Sequence, residues 1–304
     1  MWVMGGTVLD TTPFLEATMI LVTGATGKVG REVVRQLAAE GFPVRALVRS
    51  AERADDLAGP GVELAVGDLE KPQTLDRAMA GVLRMYLASR AEPQLPEREG
   101  NAVDAARRAG VQFIVKVSVS GGPDSPTQIG RWHWAAEKHL GSSGIAYTIL
   151  RPTLYMQGTF EWLPEIAAKN EFHLPMGDGR ASVVDARDVA AVAVAALKAG
   201  GLPQRLYDVT GPEAISFDLI ADDISAVAGR RVEYVDVTPQ QWKKEKLAAG
   251  TPAWLADDYL VLWGAYRKGY GANVSTAIAD VTGRPPRSFR EFARDHAARF
   301  REGR

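Results

Sequence analysis

A glycine-rich turn near the N-terminus constrains the fold of this chain more than any other feature. Residues 23–30 read TGATGKVG and lie between a β-branched run and a helix-like stretch. In such a strand–turn–helix unit Gly24 permits a tight turn, Gly27 lets the backbone approach a pyrophosphate, and Gly30 allows close packing of helix on strand. The helix start then offers free N–H groups to phosphates. The turn therefore predicts a dinucleotide site, with an ordinary strand-to-helix turn as the alternative.

Short β-branched runs alternate with alanine-rich stretches from Met19 onward, which is typical of a parallel sheet with helices on both faces. We predict strands at 20–23, 44–48, 62–66, 83–87, 113–117 and 147–150, and helices at 29–39, 74–80, 97–109 and 128–140. Three of these helices should end at Gly41, Gly110 and Gly141. The expected fold class is α/β, a Rossmann-type doubly wound parallel sheet.

The regular alternation stops after Arg151 and Pro152, where aromatic and proline-rich pieces follow. We therefore divide the chain into an N-terminal extension (1–18), an NAD(P)-binding Rossmann domain (19–154) and a smaller C-terminal α+β substrate lobe (155–304). A helix that starts near Asp185 is apolar almost all round, so we expect it in the interior. A strand at 206–209 and a last helix at 288–300 should return to the Rossmann domain.

Composition excludes several kinds of site. The chain has no cysteine, and its four histidines are dispersed, so we predict no metal site. With 36 basic and 37 acidic residues, the net charge of -1 gives no electrostatic footprint for nucleic acid or a membrane surface. No apolar stretch approaches the length of about 18 residues that spans a membrane, and residues 1–18 lack the basic start of a secretory signal. We expect a soluble, cytoplasmic protein, and a homodimer is compatible with the sequence.

Charged residues follow the second and third predicted strands. Arg49 stands where an NAD-specific site places a carboxylate against the ribose 2′-hydroxyl, and its guanidinium suits a 2′-phosphate instead. This favours NADP(H) as the cofactor, with a solvated surface arginine as the alternative. Asp68 follows the third strand, where its carboxylate either accepts a hydrogen bond from the adenine amino group or caps a helix.

Several segments together resemble the NmrA-like branch of the atypical short-chain dehydrogenase/reductases. They lie between Met19 and about Val237 and read TGATGKVG, VRALVRS, GDLEKPQTL, VKVSVSGG, HWAAEKHLGSSGIAYTILRPTLYMQ and VDARDVA. This branch includes NAD(P)H:quinone oxidoreductases and redox-sensing regulators. The resemblance implies a C-terminal lobe, from about Tyr155, that closes over the nicotinamide and shapes the substrate pocket. It does not specify a substrate.

The predicted NADP(H) site combines the glycine turn with the ends of the next three strands. Its residues are Gly24, Thr26, Gly27, Lys28, Val29, Gly30, Arg49, Asp68, Leu69 and Ser89. Asp185 and Asp188 belong to the family pattern, but their position at a helix start predicts capping rather than binding.

The wider superfamily uses a tyrosine and a lysine spaced YxxxK, in which the tyrosine donates a proton and the lysine lowers the tyrosine pKa. The resemblance places His133 and Glu137 at these positions, and no lysine lies between Val117 and Glu137. Loss of a general acid slows reduction of a simple ketone by about 10²–10⁴-fold. A quinone, azo dye or other conjugated acceptor delocalises the added charge, so the sequence favours such an acceptor.

His133 is the candidate catalytic residue, as a proton donor or substrate anchor, because a histidine pKa lies near neutrality. Glu137, four residues on, shares its helix face and would orient it; a buried histidine without chemistry is the alternative. Ser118 and Ser120 follow the fifth strand, at the edge where ligands bind in such sheets. The resemblance places Ser120 nearest the superfamily's catalytic serine, and a hydroxyl that only stabilises the loop is the alternative.

Aromatic residues cluster where the substrate pocket is expected, and flat apolar side chains suit a planar aromatic molecule. We predict substrate contacts from Trp134, Tyr155 and Phe160, with packing of the core and lid as the alternative. The predicted function is an NADPH-dependent oxidoreductase that transfers hydride to a quinone-like or other conjugated aromatic acceptor. Two alternatives stay open: a non-catalytic NADP(H) sensor that regulates a partner protein, and a secondary-metabolism reductase that acts on a polycyclic aromatic.

Overall fold

A seven-stranded parallel sheet forms the centre of the computed structural model, which describes residues 18–52 and 54–303. The predicted extension, residues 1–18, lies outside the described residues apart from Thr18. The strands are, in chain order, β1 (Met19–Val22), β2 (Val44–Val48), β3 (Val62–Val66), β4 (Val82–Leu87), β5 (Phe113–Val117), β6 (Ala146–Pro152), β7 (Glu171–Leu174), β8 (Arg180–Ala181), β9 (Leu206–Val209), β10 (Ile215–Ser216) and β11 (Glu233–Asp236).

Helices follow most of these strands. In chain order they are α1 (Lys28–Ala39), α2 (Leu75–Met79), α3 (Leu95–Ala109), α4 (Gln128–Ser142), α5 (Leu163–Lys169), α6 (Ala186–Ala199), α7 (Phe217–Ala228), α8 (Pro239–Ala248), α9 (Ala253–Tyr266), α10 (Ala277–Thr282), α11 (Phe289–Asp295) and α12 (Ala297–Glu302). The predicted elements up to residue 152 are all present, and their ends differ by at most two residues. Among the described residues, no helix combines the length and apolar character needed to cross a bilayer.

The large sheet has the strand order β3-β2-β1-β4-β5-β6-β9, and each neighbouring pair is parallel. α1, α6 and α10 cover one face, while α2, α3 and α4 cover the other. The predicted doubly wound α/β fold class is therefore confirmed, and the strand at 206–209 does return to this sheet. Because the order reverses between β1 and β4, the carboxyl edge beside these strands is the expected ligand site.

The interior position predicted for α6 is confirmed, since this helix packs between α1 and α10 and against the sheet. Asp185 caps α6 as predicted: its carboxylate accepts a hydrogen bond from the Arg187 N–H at 2.8 Å. Asp188, one turn further on, is paired with Arg287. Both aspartates are therefore occupied by structural contacts.

A second apolar core lies in the C-terminal region, around the β7–β11 and β8–β10 pairs. The prediction of one last helix at 288–300 is wrong, and this segment packs mainly on the second core instead of returning to the Rossmann domain. Two helices, α11 and α12, meet at His296 and pack on α7 and α5, because Phe289, Phe292 and Phe300 face this second core. It is α10 that returns, against α6 and β9.

Two of the three predicted glycine stops are confirmed. Gly41 and Gly110 follow α1 and α3 with φ angles of 81° and 78°. Gly141 does not end α4, which continues to Ser142, and the positive φ falls on Gly144. Serine hydroxyls at this end of α4 donate to the carbonyls of its last turn, which supports the longer helix.

Candidate active site

A cavity of about 460 Å³ lies at the carboxyl edge of the large sheet, within the range of about 300–1,000 Å³ that is typical of ligand clefts. Its wall combines the turn after β1, the ends of β2 to β5, and the first half of α4. All ten predicted cofactor residues line it, namely Gly24, Thr26, Gly27, Lys28, Val29, Gly30, Arg49, Asp68, Leu69 and Ser89. His133 and Tyr155 line the same cavity.

The glycine turn is held against the end of β4, at the switch point. The Thr23 hydroxyl donates to the Ala88 carbonyl at 2.8 Å and accepts from the Ala88 N–H at 2.9 Å. Gly24 has a φ of +57°, and a Cβ on Gly30 would lie 2.2 Å from the Gly24 carbonyl oxygen, so both positions require glycine. α1 starts after Gly27, and no described side chain caps its first turn. Its free N–H groups are therefore available to an anion.

The three charged residues among the predicted cofactor residues differ in the contacts that their side chains already make. Arg49 is exposed at the cavity rim, and within residues 18–52 and 54–303 no acidic side chain pairs with it. The Asp68 carboxylate accepts a hydrogen bond from the Glu70 N–H at 3.1 Å, so it caps a turn rather than a helix. Lys28 Nζ lies 3.5 Å from Glu161 Oε1, and both side chains are largely exposed. Arg49 is thus the least engaged of the three.

His133 lies against an unpredicted ammonium group. The side chain of Lys116, on β5, is buried and lies with Nζ 3.3 Å from His133 Nδ1. Lys116 also forms an ion pair with Glu99 of α3 and donates to the Val117 carbonyl at 3.2 Å. Burial, reinforced by the Lys116 ammonium, holds the pKa of His133 well below its usual range. The expectation that His133 titrates near neutrality is therefore wrong, and its ring is neutral at pH 7.

Glu137 does not orient His133. Its carboxylate accepts hydrogen bonds from Arg151 Nε at 3.1 Å and Nη2 at 2.5 Å, and from the Ser118 hydroxyl at 2.5 Å. Glu137 and Ser118 are both buried, and Ser118 lines the cavity. The group that contacts the His133 ring is Lys116, so the predicted pairing along the helix is corrected to a pairing between a helix and a strand.

Three predicted site residues lie outside the cavity wall. The Ser120 hydroxyl donates to the Pro152 carbonyl at 3.1 Å, which is the alternative, loop-stabilising role. The serine that lines the cavity is Ser118. Trp134 packs near the Arg151 guanidinium, 6.0 Å from the ring centroid. Phe160 belongs to the second core, where its ring stacks on a phenylalanine of α11 at 5.4 Å.

Tyr155 is the predicted substrate residue that does line the cavity, together with Tyr86 of β4. Burial raises the pKa of both hydroxyls, so both rings are neutral. Trp132 lines a separate cavity of about 350 Å³ with Trp254 of α9, and their ring centroids are 5.4 Å apart. Because Trp132 and His133 are consecutive residues of α4, the two cavities lie on adjacent faces of that helix.

Lys116 and Glu99 are not among the predicted residues, although the sequence carries one signal for them. β5 reads FIVKV, and each of its residues is buried. A lysine inside such a strand requires a partner, because an isolated buried charge is very unfavourable. The partner, Glu99, lies on a different element, so the sequence spacing does not identify it.

A cluster of possible metal-ligating groups lies outside the cavity. One ligand atom each from Glu165, His173 and Glu245 lies within 4.8 Å of the others. His173 Nδ1 is 3.1 Å from Glu245 Oε2, and Nε2 is 3.1 Å from Glu171 Oε1. Both distances are those of hydrogen bonds between a histidine ring and carboxylates. The absence of a metal site stays a prediction.

Known proteins resemble this chain over nearly its whole length. A sequence family described as NAD(P)H-binding matches residues 24–199. The NAD(P)H azoreductase of Xenophilus azovorans is 42% identical over 283 residues, which cover 93% of this chain and 99% of that protein. The NADPH-dependent quinone oxidoreductase QOR2 of Escherichia coli, solved with NADPH, superposes with a TM-score of 0.83 at 28% identity, covering 91% of this chain and 99% of that one.

A second solved structure is similar to this chain over nearly its whole length. The triphenylmethane reductase of Citrobacter sp., complexed with NADP(H), superposes with a TM-score of 0.82 at 28% identity and covers 92% of this chain and 99% of that one. The strand order, the glycine turn and these similarities all lead to the same family. The chain belongs to the NAD(P)H-binding, NmrA-like family of atypical short-chain dehydrogenase/reductases, which includes NAD(P)H-dependent reductases.

Proposed function

We propose that this protein is an NADPH-dependent oxidoreductase that transfers hydride to a quinone-like or other conjugated aromatic acceptor, azo dyes included. One observation carries the proposal: the ten predicted cofactor residues line a single cavity that also contains His133 and Tyr155. The nucleotide site and the candidate reaction site are therefore continuous. The acceptor class is supported by relatives named as an azoreductase, a quinone oxidoreductase and a triphenylmethane reductase.

The described residues fit a phosphorylated dinucleotide. The uncapped first turn of α1 offers N–H groups to a pyrophosphate. The exposed Arg49 guanidinium, which no described acidic group engages, suits a 2′-phosphate and favours NADPH over NADH. When bound, a reduced nicotinamide supplies hydride at this cavity.

A small aromatic molecule is the partner that the cavity walls favour. The neutral rings of Tyr86 and Tyr155 provide flat apolar surface. Trp132 and Trp254 line a separate aromatic cavity on the adjacent face of α4. An ammonium group lies directly behind His133, so a missing proton donor is no longer a reason to favour conjugated acceptors.

NADPH oxidation with a panel of acceptors tests this proposal. The panel contains a benzoquinone, an azo dye and a simple aliphatic ketone, and each reaction is followed by the loss of NADPH absorbance. We expect turnover with the quinone or the azo dye, and a lower kcat/KM with NADH than with NADPH. Tight NADPH binding without turnover on any acceptor would favour the sensor function, and a preference for the ketone would contradict the acceptor class.

A further inference from the structure

The hydrogen bonds of Lys116 determine where His133 carries its hydrogen. A lysine ammonium has three N–H donors and no acceptor. Lys116 Nζ has three partners: the Glu99 carboxylate, the Val117 carbonyl at 3.2 Å, and His133 Nδ1 at 3.3 Å. Because an ammonium can only donate, Nδ1 must accept. A neutral ring that accepts at Nδ1 carries its hydrogen on Nε2.

The other ring nitrogen of His133, Nε2, is not engaged by any described residue. His133 lines the cavity wall, and Nε2 has no hydrogen-bond partner among the residues that the structure describes. Nε2 is also not one of the buried polar atoms that lack a partner, so it has access to open space. An N–H donor, backed by a buried ammonium, therefore points to where a substrate would lie.

The ion pair behind His133 is deeply buried. Lys116 is 0% exposed and Glu99 is 1% exposed. Buried ion pairs add little net stability, because the cost of removing two charges from water offsets their attraction. Ser89, which lines the cavity, donates to the second Glu99 oxygen at 3.1 Å and holds the carboxylate in place. Glu99 is thus a positioning residue that holds Lys116 Nζ against the imidazole.

We propose that Lys116 supplies the proton of the reduction through the His133 ring, a relay that rests on the proposed function. An acceptor that has received hydride carries negative charge on nitrogen or oxygen. The Nε2–H bond of His133 breaks and its proton binds this anion, while a proton moves from Lys116 Nζ to Nδ1. His133 stays neutral, Lys116 becomes a neutral amine, and no electron passes through either side chain. After product release, water returns a proton to Nε2 and the Nδ1 proton returns to Lys116.

Three acceptors that differ in their need for a proton test the relay. An azo dye needs one proton with each hydride and its nitrogen anion is very basic, a quinone yields a stabilised phenolate, and a cationic triarylmethane dye takes hydride on carbon without any proton. Lys116→Met should lower kcat on the azo dye by about 100-fold or more, lower it on the quinone by about tenfold, and leave the cationic dye within about threefold. Lys198→Met, which removes a half-buried, ion-paired lysine outside the cavity, is the matched control.

A purely structural role predicts a different pattern. Equal losses on all three acceptors, or no loss on the azo dye, would overturn the relay. Because Lys116→Met leaves the Glu99 charge buried and unpaired, it also risks unfolding. The double variant Lys116→Met/Glu99→Gln removes both charges and should show the same order of losses across the acceptors.

Nitrogen-15 NMR of the imidazole provides a test that does not depend on turnover. The chain has four histidines, so comparison with His133→Gln assigns the resonance of His133. We expect a neutral ring at pH 7 with hydrogen on Nε2 and a hydrogen-bonded Nδ1, and loss of that Nδ1 hydrogen bond in Lys116→Met. Hydrogen on Nδ1, or a doubly protonated ring, would overturn the relay. If no acceptor oxidises NADPH, the proposed function and the relay both fail, while this spectrum still decides whether the Lys116–His133 contact exists.

Discussion

Replacing Arg49 with alanine tests whether this side chain is responsible for a preference for NADPH over NADH. The Arg49 side chain is exposed at the cavity rim, and no acidic group of residues 18–52 and 54–303 pairs with it. Its removal therefore breaks no ion pair that the structure describes, and the free energy of unfolding should change by less than about 0.5 kcal/mol. Any loss of NADPH affinity is then a direct effect on binding.

The expected magnitude follows from the exposure of the guanidinium. A charge-assisted contact with a phosphate contributes about 1.5–3 kcal/mol. At an exposed rim solvent screens the contact, so the lower value of about 1.5 kcal/mol applies, which is about tenfold in Kd. We expect Arg49→Ala to weaken NADPH binding by about this factor and to leave NADH binding unchanged. The difference between the two cofactors should shrink in high salt, because ions shorten the Debye length.

Fluorescence titration with NADPH and NADH measures both affinities. The matched control is Arg231→Ala, which removes an arginine that is 84% exposed and lies outside the cavity. The control should bind both cofactors as the wild type does. Equal affinity of the wild type for NADPH and NADH, or equal weakening of both by Arg49→Ala, would refute the assignment of the 2′-phosphate to Arg49.

Three further predictions concern the glycine turn and His133. Gly27→Val should abolish NADPH binding in a folded protein because the valine side chain would enter the pyrophosphate site. The control Gly59→Val, at an open position, should bind NADPH normally. Undiminished NADPH binding by a folded Gly27→Val variant would contradict the proposed site. His133→Ala should lower turnover on a quinone by about tenfold and keep NADPH affinity; steady-state kinetics with a binding titration checks both, and an unchanged kcat would exclude a role for the ring. Because the folded pKa of His133 is depressed, the unfolded chain binds the extra proton. Stability should be full above about pH 6.5 and fall by up to about 1.4 kcal/mol per pH unit below it. Urea unfolding of wild type and His133→Gln at pH values on both sides of 6.5 tests this slope, which should be smaller in the variant because only the contribution of His133 is removed.

The sequence alone was sufficient to predict that the ten proposed cofactor residues lie together at one edge of the sheet. Parallel strands all end at one edge of a sheet, so residues that directly follow the strands must gather there. The glycine turn, Arg49, Asp68 and Ser89 each lie just after a strand, and all of them line the same cavity. These predictions needed only strand positions, which local β-branched runs indicate well.

The surroundings of His133 were decided by tertiary structure. Lys116, Glu99 and His133 come from β5, α3 and α4, and their contacts depend on how these elements pack. Residues that are neighbours along a helix point in different directions, so His133 faces the cavity while Trp134 packs near Arg151.

In the C-terminal region, too, the sequence did not determine which elements pack against each other. Phe160 and the last two helices face the second core rather than the cavity or the large sheet. Their apolar residues identify a buried face but not the partner that covers it, because burial lowers the free energy of any apolar surface regardless of which element supplies the contact. Only the packed structure decides that partner.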